Sequence, residues 1–409
     1  MYIQKILIEN IRSISHFEME FPKPAGWHVL IGDNGSGKTT VLRAIAAPLI
    51  IEVNRANPIM TEWLKIAEEQ AIAKLIYDDS YWIELGIKYS SNRGFNVIMC
   101  DKEENSEQNM PIKVFSAGYG SLRIAQENEI IDDITPQKKP QILAHKTLLG
   151  GKNALMSAEY WLKELQYAVL EGGNDQKTAQ KLLDLIISLI NDSNLLPYNR
   201  KIGKIGRAGI SFQNEKGIYL AFRHLSDGFR SILNIVLDFI FRMVGFYGEA
   251  EVLRAFDNEQ KVCMLEGVVL IDEIDAHLHP TWQTRIGQWF TQYFPNIQFI
   301  VTTHSPLVCR ACDKGSIWRL AAPDSDVPSG EITGIERERL IYGNILDAYG
   351  TEIFGDSASI NVEAAQQRNR LGELYEKSIM GLIKSEEETE FTHLKGIFPT
   401  FQHIGILAK

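Results

Sequence analysis

Gly32-Asp33-Asn34-Gly35-Ser36-Gly37-Lys38-Thr39 directly follows the apolar run Trp27 to Ile31 and reads GxxxxGK[ST]. A β-strand emptying into such a loop limits the fold more than any other stretch of this chain. The glycines let successive backbone N–H groups turn toward an anion, and the following helix begins at that anion. The spacing predicts a phosphate-binding set of Asn34, Gly35, Ser36, Gly37, Lys38, Thr39 and Thr40. Lys38 reaches the β/γ oxygens of a nucleotide, and the Thr39 hydroxyl holds Mg²⁺. Val41, Leu42 and Ala44 carry the helix onward. Taken alone, the same residues also read as a Gly-rich turn.

Val268-Val269-Leu270-Ile271 has the length of a buried parallel strand and ends in Asp272-Glu273. Neighbouring strand side chains point to opposite sides, so the two carboxylates serve different tasks: Asp272 faces Mg²⁺ and Glu273 polarises an attacking water. Phe299-Ile300-Val301-Thr302-Thr303-His304 puts a histidine at another strand tip, where it senses a γ-phosphate. In isolation a pair of acids at a strand end also fits a solvated cap, and a lone histidine there fits a structural role. Leu225-Ser226-Asp227-Gly228 opens a long apolar helix with a Ser-x-Gly turn, whose hydroxyl and N–H groups suit a phosphate.

In this order and combination the motifs resemble an ATP-binding-cassette (ABC) ATPase of the RecF, SMC and OLD branch, over most of positions 1 to 320. The fold this implies is α/β. An ABC-type P-loop NTPase head, of mixed and parallel sheet flanked by helices, spans 1–335 with a helical insertion at roughly 125–210, and a helical C-terminal extension spans 336–409. Leu225-Ser226-Asp227-Gly228 resembles the LSGGQ signature. In that family two heads dimerise head to tail, and each ATP is sandwiched between the phosphate loop of one copy and the signature of the other. The resemblance therefore implies ATP and Mg²⁺ as cofactors, with Ser226 and Gly228 binding ATP in trans. It also implies that Glu273 is the general base, Asp272 the Walker B magnesium residue and His304 the switch histidine, with Lys38 beside them in catalysis. Asp275 through His279 fall in the D-loop region. Asn10-Ile11-Arg12-Ser13 resembles the Asn-Phe-Arg/Lys-Ser opening of this branch, which brings Arg12 toward the nucleotide phosphates. Two departures stand out. Gln126 has no neighbours that support a Q-loop role, so that role stays empty. Ser226 and Asp272 are also farther apart than in transporter cassettes, with the extra residues around Gly245 to Glu266.

With 409 residues, 45% of them hydrophobic and 23% charged, the chain can build one large domain or two ordinary ones. Met1 to Ile8 reads as a strand without a basic region, a long apolar stretch or a cleavage site, so a cytoplasmic location is expected. Ser231 to Val244 is the best membrane candidate, yet Arg230, Asn234, Asp238 and Arg242 recur every four residues as a polar stripe. It reads as a core helix behind the signature, and no membrane partner is expected. Four cysteines do not make a disulfide framework, and Cys309-x-x-Cys312 lacks a second pair for zinc, so buried thiols are expected.

Helical spacing recurs from Met60 to Leu75 and from Ser157 to Ile190. These stretches suit short helices and not the long coiled coil of SMC or zinc-hook proteins. Ala117-Gly118-Tyr119-Gly120-Ser121-Leu122-Arg123, after a strand Lys113 to Ser116, resembles the GYG-x-x-R element of anti-phage ATPases, especially the ATPase subunit of Septu-type systems. As bare residues it also reads as a turn. Those relatives carry a similar tail, here Ile341-Tyr342-Gly343 and Ile353-Phe354-Gly355 ahead of helices near Val362 to Lys384 and Glu388 to Lys395. The stretch after His304 is too short for that tail plus a TOPRIM nuclease domain, and no HNH-like histidine cluster is visible, so the chain itself is not expected to cut nucleic acid. The resemblance implies a homodimer or higher even oligomer, closed through ATP-sandwich heads, that regulates a separately encoded nuclease subunit, HNH type by analogy, in anti-phage defence. The alternative is a RecF-like repair or replication ATPase that clamps DNA directly. A net charge of −10 argues against a broad DNA surface. Arg200, Lys201, Lys204 and Arg207 nevertheless form one basic run, read as a solvated loop or as a local patch, and DNA stays open as a partner.

Overall fold

Two antiparallel strands, β1 (Lys5–Ile11) and β2 (Ile14–Glu20), open the chain, with Ile11 paired to Ile14 across their turn. Ile6 and Ile8 on one and Phe17 and Met19 on the other are buried, the alternation of strands with one covered face. β4 (Gln70–Ile76), β5 (Trp82–Ser90) and β6 (Gly94–Cys100) extend this sheet in the order β2-β1-β4-β5-β6, antiparallel throughout. The computed structural model describes residues 1–50, 70–78, 82–90, 94–100, 114–121, 140–151, 155–173, 175–207, 209–256, 261–322, 328–343, 362–379 and 382–397.

A second sheet carries the candidate site. β3 (Gly26–Ile31), β7 (Ser116–Tyr119), β11 (Gly267–Ile271) and β12 (Ile297–Thr303) are buried at every position. With β13 (Ile317–Arg319) and β14 (Gly330–Glu331) they form the order β14-β13-β3-β12-β11-β7, parallel except at β14. Strands covered on both faces need no polar alternation, which is why their sequences are mostly apolar, with buried His28, Ser116, Gln298, Thr302 and Thr303 as the polar exceptions. Ile31 lies opposite Thr303, and Val301 opposite Ile271. The phosphate loop, His304 and the Asp272-Glu273 pair therefore leave the sheet at the same edge.

Helix α1 (Lys38–Ile50) joins the two sheets. Its Val41, Leu42 and Ile45 share a core with Ile8 of β1, Leu75 of β4 and Leu270 of β11. A helix buried on both sides is held by both, and this one begins at Lys38, so the core fixes the phosphate loop.

The excursion between β7 and β11 holds α2 (Pro140–His145), α3 (Ala158–Glu171), α4 (Gln176–Asp192) and a small antiparallel sheet of β8 (Lys201–Gly206), β9 (Gly209–Gln213) and β10 (Tyr219–Ala221). Ser157 caps α3 by accepting from Tyr160 N. The long helix α5 (Asp227–Tyr247) and the short α6 (Glu249–Ala255) follow. Beyond β11 come α7 (Pro280–Tyr293), a 3-10 segment Pro306–Lys314 and α8 (Gly334–Tyr342). No helix among the described residues is long and apolar enough to cross a membrane.

Several expectations shift. Residues 60–69 of the expected helix Met60–Leu75 lie outside the described residues, and the rest is strand β4, with Ala71, Ala73 and Leu75 buried in alternation. The Gly-Tyr-Gly element does not follow a strand ending at Ser116, because Ser116 to Tyr119 is itself β7. Lys201 and Lys204 stand on β8, so the basic run is part of a sheet. The chain divides into compact units Met1–Ala348 and Tyr349–Lys409. Helix α8 belongs to the first, where Arg337 Nη2 donates to Cys312 O at 2.7 Å and Arg310 Nη2 to Gly343 O at 2.9 Å. In the second unit α9 (Val362–Ile379) and α10 (Ser385–Ile397) pack through Leu371, Leu374, Phe391 and Leu394. Cys309 and Cys312 are buried free thiols.

Candidate nucleotide-binding site

The loop after β3 is shaped by its own backbone. Gly35 and Gly37 have φ of 84° and 104°, a region that glycine enters without strain. Ser36 N donates to Asp33 O at 3.2 Å and Val41 N to Gly37 O at 2.9 Å, closing the loop onto the first turn of α1. A Cβ at Gly37 would lie 3.4 Å from Ser13 Oγ, so the β1–β2 turn packs against the loop, whereas at Gly35 nothing lies within 4 Å. Lys38 Nζ donates to Gly32 O and Asp33 O, each at 2.8 Å. Burial lowers the Lys38 pKa, against the opposing charges of Asp272, Glu273, Asp33 and Asp275. Among the described residues, Ser36 Oγ is buried without a hydrogen-bond partner. An unmet hydroxyl inside an anion loop is a group that a phosphate oxygen satisfies, so these residues fit a nucleotide.

Across the sheet edge Asp272 is 2% exposed and joins two threonines. Thr39 Oγ1 donates to its Oδ2 at 2.8 Å, and Thr302 Oγ1 donates to its Oδ1 at 2.6 Å. The Asp272 N–H donates to Tyr119 O at 2.7 Å. Thr39 and Asp272 thus already stand together as an oxygen pair suited to Mg²⁺.

β11 ends at Ile271, so strand alternation is not what separates the two acids. Glu273 takes the left-handed conformation, φ 46°, and its N–H is held by Thr302 Oγ1 at 2.7 Å. Such backbone costs a non-glycine residue about 1–3 kcal/mol and persists where neighbours enforce it. Thr302 does so here, gripping Asp272 through its hydroxyl hydrogen and Glu273 through its hydroxyl oxygen.

Asp275 ties the next turn to His304, because its Oδ1 accepts from Thr303 Oγ1 at 2.5 Å and from His304 N at 3.4 Å. Gln283 of α7 braces the same corner, accepting from Ser305 Oγ at 2.7 Å and donating to Leu278 O at 2.9 Å. Arg12 sits in the β1–β2 turn at φ 54°. It lies close enough to Arg43 of α1 for its charge to add to burial in lowering the Arg43 pKa, and Arg43 Nε is anchored on Leu148 O at 2.8 Å.

The loop residues, Asp272, Glu273, His304 and the Arg12 turn therefore gather at one sheet edge. Ser226 and Gly228 stand elsewhere: among the described residues neither makes a hydrogen bond to the phosphate loop. Ser226 is the exposed N-cap of α5, with no side-chain capping bond. Gly228 is buried where a Cβ would meet His277 O at 2.3 Å, so its missing side chain lets α5 close on the turn around His277 of the same chain. Gln126 lies outside the described residues. Sequence reasoning missed Thr302, Thr303 and Gln283; for the first two, a pair of threonines at the strand tip was the available signal.

Two family models match the chain. One, described as "AAA ATPase domain", covers residues 1–187, and one described as "AAA domain, putative AbiEii toxin, Type IV TA system" covers residues 120–310. The chain is 29% identical over 326 residues to Septu protein PtuA of Bacillus mycoides, covering 77% of this chain and 40% of that protein. It is 30% identical over 287 residues to the "Retron Ec83 probable ATPase" of Escherichia coli, covering 68% of this chain and 48% of that one. It thus spans less than half the length of these curated relatives. Among solved structures, an SMC head bound to the C-winged helix domain of ScpA aligns over 82% of this chain and 99% of its own, at 16% identity and a TM-score of 0.48. The chain has a P-loop α/β fold and is similar in sequence to Septu and retron ATPases.

Proposed function

We propose that this chain is an ATPase that closes as a head-to-tail homodimer around Mg²⁺-ATP and, through that closure, regulates a separately encoded effector nuclease in anti-phage defence, in the cytoplasm. The observation that carries the reading is the similarity to the Septu protein over 326 residues, in a chain whose phosphate loop, metal aspartate and candidate base share one sheet edge. A bound Mg²⁺ supplies charge neutralisation for the phosphates. Thr39 and Asp272 hold it, Lys38 and the loop N–H groups bind phosphate oxygens, and Glu273 takes a proton from the attacking water. His304, its backbone fixed by Asp275, senses the phosphate end. Ser226 and Gly228 act on the ATP of the other head.

The effector follows from purifying tagged chain from its native host, wild type and Glu273→Gln, with and without Mg²⁺-ATP, and identifying all co-purifying protein and nucleic acid. A stoichiometric nuclease is expected. Its absence, with DNA retained in the ATP state, would replace this reading with the clamp described below. Ser226→Arg tests the trans assignment. Because Ser226 is exposed and caps nothing with its side chain, the variant should fold and bind ATP within about twofold of wild type, while losing the ATP-driven dimer seen by light scattering. Retained dimerisation would undo the assignment.

A second reading, direct clamping of nucleic acid by a RecF-like head, is favoured by the β8–β10 sheet. Between 198 and 224 the chain places Arg200, Lys201, Lys204, Arg207, Lys216 and Arg223 against one acid, Glu215. Tyr198 and Tyr219 are 82% and 51% exposed, with Arg200 5.7 Å from the first ring and Lys204 5.8 Å from the second. Exposed cations interleaved with ring faces suit a nucleic-acid strand. On this reading the double substitution Lys201→Glu, Lys204→Glu should lower affinity for single-stranded DNA by at least about tenfold and flatten its salt dependence, with turnover in the absence of DNA unchanged. Equal DNA retention by fluorescence anisotropy would remove the sheet as a nucleic-acid surface.

A further inference from the structure

Three of the four residues in the polar stripe of α5 face inward. Asn234, Asp238 and Arg242 are 6%, 1% and 9% exposed, on the helix whose first residues follow Ser226. Asp238 is the hub. Its Oδ2 accepts from Tyr119 OH at 3.0 Å and its Oδ1 from Met156 N at 2.8 Å. Arg242 Nε donates to Oδ2 at 3.4 Å and Arg242 Nη2 to Oδ1 at 3.3 Å. One turn earlier Asn234 Oδ1 accepts from Ala158 N at 3.2 Å, at the start of α3. Tyr119 works in two directions: its hydroxyl holds α5, and its carbonyl accepts the Asp272 N–H at 2.7 Å.

A buried charge is tolerated only where its hydrogen bonds are made, and apolar packing of α5 on β7 would often be no less stable. Oriented bonds add something apolar packing lacks, since they fix a helix in rotation and in rise along its axis. Burial first and the Asp238 charge second hold the Tyr119 hydroxyl protonated, its pKa well above the ordinary phenol range. His145 packs behind β7, its Nε2 3.0 Å from Ser116 Oγ. Burial first, then the charge of Arg242, lowers its pKa to about 3, so it stays neutral and does not draw the carboxylate away. The three elements that meet at Asp238 come from distant parts of the chain: the strand beside the metal aspartate, the signature helix and the root of the inserted helices.

We propose that Tyr119 and Asp238 are positioning residues that lock the signature helix α5 to the Asp272 turn, so that an assembled metal site in one head sets how that head presents Ser226 and Gly228 to its partner's ATP. The proposal rests on the sandwich-dimer reading above, and its test separates the two. Tyr119→Phe keeps the ring and removes only the hydroxyl. In full-length chain carrying Glu273→Gln it should bind a fluorescent ATP analogue within about twofold of its parent and lose ATP-driven dimerisation by about tenfold or more, the scale of one hydrogen bond to a buried charged group. With Glu273 restored, kcat falls while the KM for ATP holds. Asp238→Asn should give the same split and stands in if Tyr119→Phe does not fold. Dimerisation equal to the parent's overturns the relay, and so does a parallel loss of ATP binding, dimerisation and melting temperature, which marks a merely structural role. If the Glu273→Gln parent itself fails to dimerise with ATP, the sandwich reading fails first and the relay with it.

Discussion

Glu273→Gln should leave Mg²⁺-ATP binding within about twofold of wild type and cut turnover by about 10²- to 10⁴-fold, the span expected when a general base is removed. The substitution is close to isosteric and leaves the backbone in place. The Glu273 contact with Thr302 is made by the N–H, at 2.7 Å, so the left-handed turn at φ 46° does not depend on the carboxylate. The threonine contacts of Asp272 are untouched, and Lys38 loses only one of the carboxylates that oppose its burial. What disappears is the carboxylate oxygen that, in the proposed reading, accepts the proton of the attacking water. Single-turnover hydrolysis beside an ATP titration measures both halves, and normal turnover would remove Glu273 as the base. In the proposed cycle the variant accumulates as the closed ATP dimer, because hydrolysis is the step that opens it.

The two halves of this site were unequally legible in the sequence. The phosphate loop could be read residue by residue because each position makes its own chemical demand: Gly35 and Gly37 at φ of 84° and 104°, a cation at 38, a hydroxyl at 39. Asp272 and Glu273 were identifiable, yet what sets the two side chains apart was not. It lies in a left-handed turn enforced by Thr302, a residue 29 positions from Glu273, and such a pairing exists only once β11 and β12 lie side by side. The stripe Asn234, Asp238, Arg242 shows the opposite failure. Its period was plain, but a period says that residues share a face and not which way the face points. Only the partners, Ala158, Met156 and Tyr119, decide that, and two of them are backbone N–H groups that leave no trace in sequence. β4 was missed for a related reason: Gln70-Ala71-Ile72-Ala73-Lys74-Leu75-Ile76 is apolar enough to satisfy a helical spacing, and its register against β1 selects the extended form.

Lys38→Ala should weaken ATP binding by about 10²- to 10⁴-fold without unfolding the chain. Its ammonium group makes two hydrogen bonds at 2.8 Å, to Gly32 O and Asp33 O, which hold it over the loop where phosphate oxygens arrive. Bonds to a charged group contribute roughly 1.5–3 kcal/mol each, and about 1.4 kcal/mol is tenfold in affinity, so losing two such phosphate contacts gives the stated range. The neighbourhood deepens the loss. Asp33, Asp272, Glu273 and Asp275 all act on this lysine, and without it a polyanionic ligand approaches their combined negative charge. The fold should survive, because α1 is held by Val41, Leu42 and Ile45 in the shared core and not by the side chain at its first turn. Isothermal titration with Mg²⁺-ATP, beside a thermal melt, reads both. Unchanged affinity would discredit the phosphate loop as the nucleotide site. The variant also separates two ways of losing the dimer: Lys38→Ala loses it for want of ligand, and raising ATP restores it, whereas Ser226→Arg loses it with ATP bound and no concentration brings it back.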